Sequence, residues 1–359
     1  LHSDTHSFPT RRSSDLQVVV TADRSAHKKM DIARPSEVVT QETLTDNMAS
    51  NLTDALDRTP GFTQIWEYHS PLLLRGMNGD RLIVLLNGDR RVGTFPGGFM
   101  GQEMNIYGAD KIEVIRGPGS VMYGSGAISG VINIIGADPF QHRGLNVRLH
   151  SGYGSNNSEF LQLADVSWAG DQLAFSVHGK WRDTNFLHYG DNIKAENSRV
   201  EDKDLNINAV WRLSNKHQLG AVFNYHWGGP WEKPLGFNGP TKSFTEVENE
   251  EWRSHSTLTY KAQSIGIFKE ISLSLFYDQG RRDYYNYKHQ QFSDGTLGKR
   301  NSLELVKYDD KYGGGHVFGR IQTGENNKIT LGADGYVFRL WSPAEMHDYY
   351  YNTYGTKRL

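Results

Sequence analysis

The stretch GADKIEVIRGPGSVMYGSGAISGVINII, Gly108–Ile135, decides how the chain is read. It holds two β-rich runs, Lys111–Ile115 and Gly130–Ile135, with a Gly-rich turn region between them. In the first run Ile112, Val114 and Arg116 alternate with Glu113 and Ile115, the period-2 texture of a strand. The second run, Val131–Ile135, is apolar on both faces apart from Asn133, as expected of a strand covered on both sides. The intervening glycines permit positive φ and close backbone approach. Gly124–Gly130 superficially looks like a phosphate loop. It lacks the G-x-G-x-x-G spacing, and a strand follows where a helix N-terminus should be, so it reads as a turn.

Working upstream, Arg81–Leu86 is an apolar buried-strand candidate, and Asn87-Gly88 is a strong turn signal. Leu72–Met77 precedes it. Gln41–Met48 and Asn51–Arg58 read as short helices. Asn51 is an N-cap, Asp54 sits in the first turn, and Thr59-Pro60-Gly61 stops the second helix. Ser36–Thr40 reads as a short strand, and Gln17–Arg24 as a β-prone run ahead of a polar stretch. Leu1–Leu16 has no apolar h-region, so it is no secretory signal. Its HSFPTRRSSDL core reads as a non-native, adapter-like segment, which would leave the true N-terminus elsewhere.

Downstream of Gly144 the texture changes to amphipathic strands. Leu173, Phe175, Val177, Gly179 and Trp181 share one face, and Ala174, Ser176, His178 and Lys180 the other. Leu205, Ile207, Ala209 and Trp211 oppose Asn206, Asn208 and Arg212 in the same way. Tight turns are expected at Ala169–Asp171, Ser214–His217 and Gly324–Asn327. Long polar loops are expected over Asp183–Asp204, Gly228–Glu250 and Arg282–Arg300. Short turns on one rim and long loops on the other are the pattern of an outer-membrane barrel. Trp168, Trp181, Trp211 and Trp227 near strand ends suit its aromatic girdles. A soluble β-sandwich would give shorter strands and a less regular alternation.

Composition agrees. The chain has 359 residues, 12% aromatics, 38 glycines and a mean hydropathy of −0.60. A barrel places only alternate side chains in lipid, so modest hydropathy is no objection. No apolar run is long enough for a transmembrane helix. A net charge of −2 gives no reason to expect nucleic acid, and the absence of cysteine removes disulfides and thiolate chemistry. There is no G-x-S-x-G elbow and no H-E-x-x-H, so no catalytic residue and no metal site is assigned and the chain reads as a non-enzyme. The 14 histidines lack ligand spacing; His69, His188, His226 and His289 fall in expected loops, with solvated surface positions as the default.

Four of these segments, Leu52–Phe62, Leu72–Met77, Arg81–Arg90 and Gly108–Ile135, resemble in order the plug domain of TonB-dependent outer-membrane receptors. The resemblance implies an α+β plug over 36–138, followed over 139–359 by part of an antiparallel transmembrane β-barrel, about nine strands of roughly twenty-two. Residues 1–16 stand outside it, and 17–35 would be a TonB-box-like segment and linker. It further implies a location in the bacterial outer membrane, with lipid, an extracellular ligand and TonB with its inner-membrane energising complex as partners. Val18, Val19, Val20, Thr21 and Ala22 would be the TonB contact, by β-augmentation. Arg75, Arg116 and Glu113 would belong to a plug–barrel lock. The loop tips Trp66, Tyr68, His69, Phe95, Phe99 and Met100 would face either the ligand or the barrel wall. The implied activity is energised uptake of a scarce nutrient, foremost a ferric siderophore, with no covalently bound cofactor. A haem or cobalamin receptor of the same architecture, or a non-energised porin or adhesin, is the alternative.

Overall fold

The computed structural model describes residues 18–19, 21, 27–28, 34–47, 49–63, 72–77, 81–91, 101, 104–188, 194–195, 199–237, 243–291, 297–323, 327–348 and 353–358. Its N-terminal part is built on a five-stranded sheet. The strand order across it is Ser36–Thr40, Ala109–Arg116, Gly130–Gly136, Leu82–Leu86 and Asp89–Arg91. Gly130–Gly136 is the hinge of the topology: it runs antiparallel to Ala109–Arg116 and parallel to Leu82–Leu86. Both faces of this central pair are covered. Ile132 and Ile134 join Val84, Leu86, Ile112 and Val114 in one apolar cluster, and Val131 joins Ile83 and Leu85 in another. That two-sided burial is why these runs are continuously apolar rather than alternating. The Asn87-Gly88 turn takes φ of 53° and 90°, the left-handed pair that a tight two-residue hairpin requires.

Two short helices cover the sheet, Gln41–Asp46 and Leu52–Leu56. Asn51 caps the second, its side chain accepting from the Asp54 N–H at 3.1 Å. The Gly-rich region between the two β runs is not all turn: Ser120–Tyr123 forms a single helical turn within it.

After a short 3₁₀ turn at Pro139–Gln141, nine long strands follow, each antiparallel to the last. They are Gly144–Gly154, Glu159–Ala169, Leu173–Asp183, Glu201–Arg212, His217–Phe237, Ser243–Ile265, Phe268–Gln291, Leu297–Thr323 and Asn327–Trp341. A hairpin of Pro343–Asp348 and Thr353–Arg358 extends the eighth strand's outer end. Alternation is strict on the third strand. Ala174, Ser176, His178, Lys180 and Arg182 are buried toward the plug, while Leu173, Phe175 and Trp181 stand exposed outward. Outward aromatics bound the apolar band at both rims: Trp168 beside Phe175, and Trp181 beside Phe160. Phe160 and Trp168 lie eight residues apart on one strand. At about 3.4 Å per residue and a tilt near 40° this spans roughly 20 Å, close to the apolar band of an outer-membrane barrel.

The expected tight turns occur at 170–172 and 213–216, and a further one at 266–267. Two of the three expected long loops are corrected. Gly228–Glu250 and Arg282–Arg300 are mostly strand, because the fifth to eighth strands run 21, 23, 24 and 27 residues. Their ladder continues through Phe237↔Phe244 and Tyr284↔Val306. A strand near ten residues crosses lipid, so these arms project beyond it. Their polar side chains read as loop, yet pairing is carried by backbone groups that polarity does not report.

Candidate functional site

The N-terminal segment docks on the sheet's outer face. Val19 is fully buried with Val38 and Ile115. Thr21, two residues on, is held at all its polar atoms. Its N–H and hydroxyl donate to Glu113 Oε2 at 2.8 and 2.6 Å. Its carbonyl accepts from the Tyr123 hydroxyl at 2.7 Å, and its Oγ1 accepts from Asn133 Nδ2 at 3.0 Å. Lys111 Nζ balances the buried Glu113 carboxylate at 2.7 Å. A backbone whose donor and acceptor are both occupied offers neither to another strand.

A second set of contacts seats the sheet against the barrel wall. In the hairpin, Asp89 accepts from Thr257 and Ser274 hydroxyls at 2.8 and 2.9 Å. Arg91 pairs with Asp278 at 2.7 Å. Asp278 also binds Arg253 at 2.5 Å, and Arg253 reaches Asp310 at 3.1 Å. Ahead of the second helix, the Ser50 carbonyl accepts from Lys180 Nζ at 2.9 Å and its hydroxyl oxygen from Arg182 at 2.7 Å. Those two cations belong to a chain of ion pairs across five strands: Arg182 and Lys180 with Asp202 and Asp204, Asp204 with His226, His226 with Glu251, and Glu251 with Arg282. His226, read as a loop residue, is thus a buried member of the wall. Burying so many charges is tolerable because each is paired and bonded.

At a third contact Gly108, at φ 86°, lies under the His178 ring, which also pairs with Asp165 at 2.5 Å. Tyr107 meets that ring edge-on at 6.0 Å. Burial first, and the Asp165 carboxylate second, raise the pKa of the Tyr107 hydroxyl.

The residues assigned to a lock sit as follows. Glu113 holds Thr21 and Lys111, both on the plug side. Arg116 donates to the Pro60 carbonyl at 2.8 Å, again inside the plug. Arg75 is exposed at φ 55°, its N–H donating to the Gly61 carbonyl at 2.7 Å. The wall contacts described above are made by Ser50, Asp89, Arg91 and Gly108. Asp89 and Arg91 had a signal, since charges directly after an Asn-Gly turn at the end of a buried strand must find partners or solvent. Ser50 had none. Val20 and Ala22 lie outside the described residues, as do Trp66, Tyr68, His69, Phe95, Phe99 and Met100.

A small α+β sheet domain, seated on long antiparallel strands with an apolar outer face and a charged inner one, defines the class. The chain belongs to the TonB-dependent outer-membrane receptors, and its place is the bacterial outer membrane. Residues 28–131 match the TonB-dependent Receptor Plug Domain family. The chain is 30% identical over 262 residues to the vitamin B12 transporter BtuB of Vibrio vulnificus (strain CMCP6), covering 69% of this chain and 42% of that one. It is 27% identical over 271 residues to an iron-regulated outer membrane virulence protein of Vibrio cholerae serotype O1 (strain O395), covering 71% and 41%. The solved copper transporter OprC shares the fold, with a TM-score of 0.71 at 18% identity over 89% of this chain and 48% of that one. The chain therefore spans less than half the length of these relatives.

Proposed function

We propose that this chain is part of a receptor for energised uptake of a scarce nutrient across the outer membrane, driven by TonB through Val18–Ala22. The docked Thr21 carries this reading. Thr21 sits at a turn with its polar groups held by side chains, and just ahead of it Val18–Val19 pair with His27–Lys28 over two residues only, a short ladder that can be exchanged for a partner strand. Work enters by mechanical coupling from the inner membrane, and the polar plug–wall contacts hold the barrier until it is pulled. Among the described residues no group of three or more His, Asp or Glu is placed to hold a metal ion.

A ferric siderophore is the cargo we favour. A relative named as iron-regulated supports it, and one named as a vitamin B12 transporter supports cobalamin as the second reading. Growth on defined ferric chelates and on cobalamin, with and without deletion of residues 17–24 in the intact receptor, tests both. Siderophore-dependent growth that the deletion abolishes is expected. Loss of growth on cobalamin or haem alone would replace the cargo, and growth unaffected by the deletion would remove energised transport through this segment.

A further inference from the structure

We propose that Asn133 is a positioning residue that makes docking of the N-terminal segment conditional on how the Asn87-Gly88 hairpin sits against the barrel wall. The inference rests on the reading above only in taking release of that segment to be functional.

Asn133 is the polar exception in an otherwise apolar strand, and it is 5% exposed. A buried amide there is costly unless both ends are bonded. They are, and to two different parts of the chain. Nδ2 donates to Thr21 Oγ1 at 3.0 Å, while Oδ1 accepts from the Gly88 N–H at 3.1 Å. The same strand grips the turn twice more. The Asn87 N–H donates to the Ile134 carbonyl at 2.8 Å, and Asn87 Oδ1 accepts from the Gly136 N–H at 2.8 Å. Directly after the turn, Asp89 is bonded to Thr257 on the sixth barrel strand and Ser274 on the seventh.

The connected order is therefore barrel wall, Asp89, Gly88, Asn133, Thr21. Every link is a side chain or turn with fixed partners, the kind of contiguous network that can carry coupling between two positions. If the wall shifts Asp89, the Gly88 N–H leaves Asn133 Oδ1. The amide then loses the bond that fixes its orientation, and with it the aim of Nδ2 at Thr21. A leucine or serine at 133 could not serve, since neither presents a donor and an acceptor on opposite ends of a rigid plane.

These 359 residues hold no cysteine, so Val19→Cys, with any cysteine elsewhere in the intact receptor replaced by serine, gives a single reporter at a fully buried position. Its rate of maleimide labelling in the intact, membrane-inserted receptor reads release of the segment. Asn133→Ala and Asp89→Ala should each raise that rate about tenfold, the scale of one buried hydrogen bond. In the double variant, Asp89→Ala should add less than about twofold, because its effect passes through Asn133. If the two effects multiply, or if Asp89→Ala leaves the rate unchanged, the coupling is wrong. Ser274→Ala weakens the same link from the barrel side and replaces Asp89→Ala should that variant fail to insert. No readout here involves TonB or uptake, so failure of the energised-transport reading would leave these rates as expected.

Discussion

At the scale of single residues, the chain shows how a backbone position can be more constraining than a side chain. Gly108 combines a φ of 86° with an approach so close that a Cβ would lie 2.6 Å from His178 Cδ2. Neither strain can be relieved without moving the other element. Gly108→Ala should therefore cost about 2 kcal/mol or more, read as a lowered midpoint of denaturant unfolding in detergent. Asn133 and Glu113 illustrate the opposite case, in which the side chain is everything. Both interrupt apolar runs, and both turn out to hold Thr21. The sequence pointed to Asn133 as an exception to its strand, but it did not say to what it was bonded. That partner is 112 positions away, and no local pattern carries such a distance.

At the scale of elements, local rules and burial agreed wherever the pattern was strong. The apolar strands Leu82–Leu86 and Gly130–Gly136, the capped helix at Asn51 and the alternating third barrel strand were all legible, because each is dictated by periodicity or by one cap. The hairpin arms were not, since antiparallel pairing is made by backbone groups and needs no apolar period. Nor was the seat of the hairpin on the wall. It depends on which strands the long antiparallel sheet brings beside Asp89 and Arg91. Asp278 is the keystone of that seat, with Arg91 and Arg253 both upon it. Asp278→Asn leaves two buried cations undercompensated and should cost about 3–5 kcal/mol in unfolding free energy. Arg91→Met should cost less, because Asp278 keeps Arg253 and His255. Equal losses from the two variants would show that the pair, not the cluster, sets the energy.

At the scale of the whole molecule, polarity is inverted. The barrel strands turn apolar side chains outward and a charged lattice inward, and the plug supplies what that lattice binds. A soluble domain would do the reverse. The inverted pattern also gives the plug a polar seat, which can be broken and remade in water without exposing a greasy core. The N-terminal segment is held by the same chemistry, through the polar groups of Thr21. The most direct measurement is site-specific cross-linking from Val20→Cys, in the intact receptor, to the periplasmic domain of TonB. Cross-linking that rises when cargo is added, and rises without cargo in Asn133→Ala, is the expected result. A receptor that imports its cargo at the full rate yet never cross-links at this position would contradict energy transfer through Val18–Ala22.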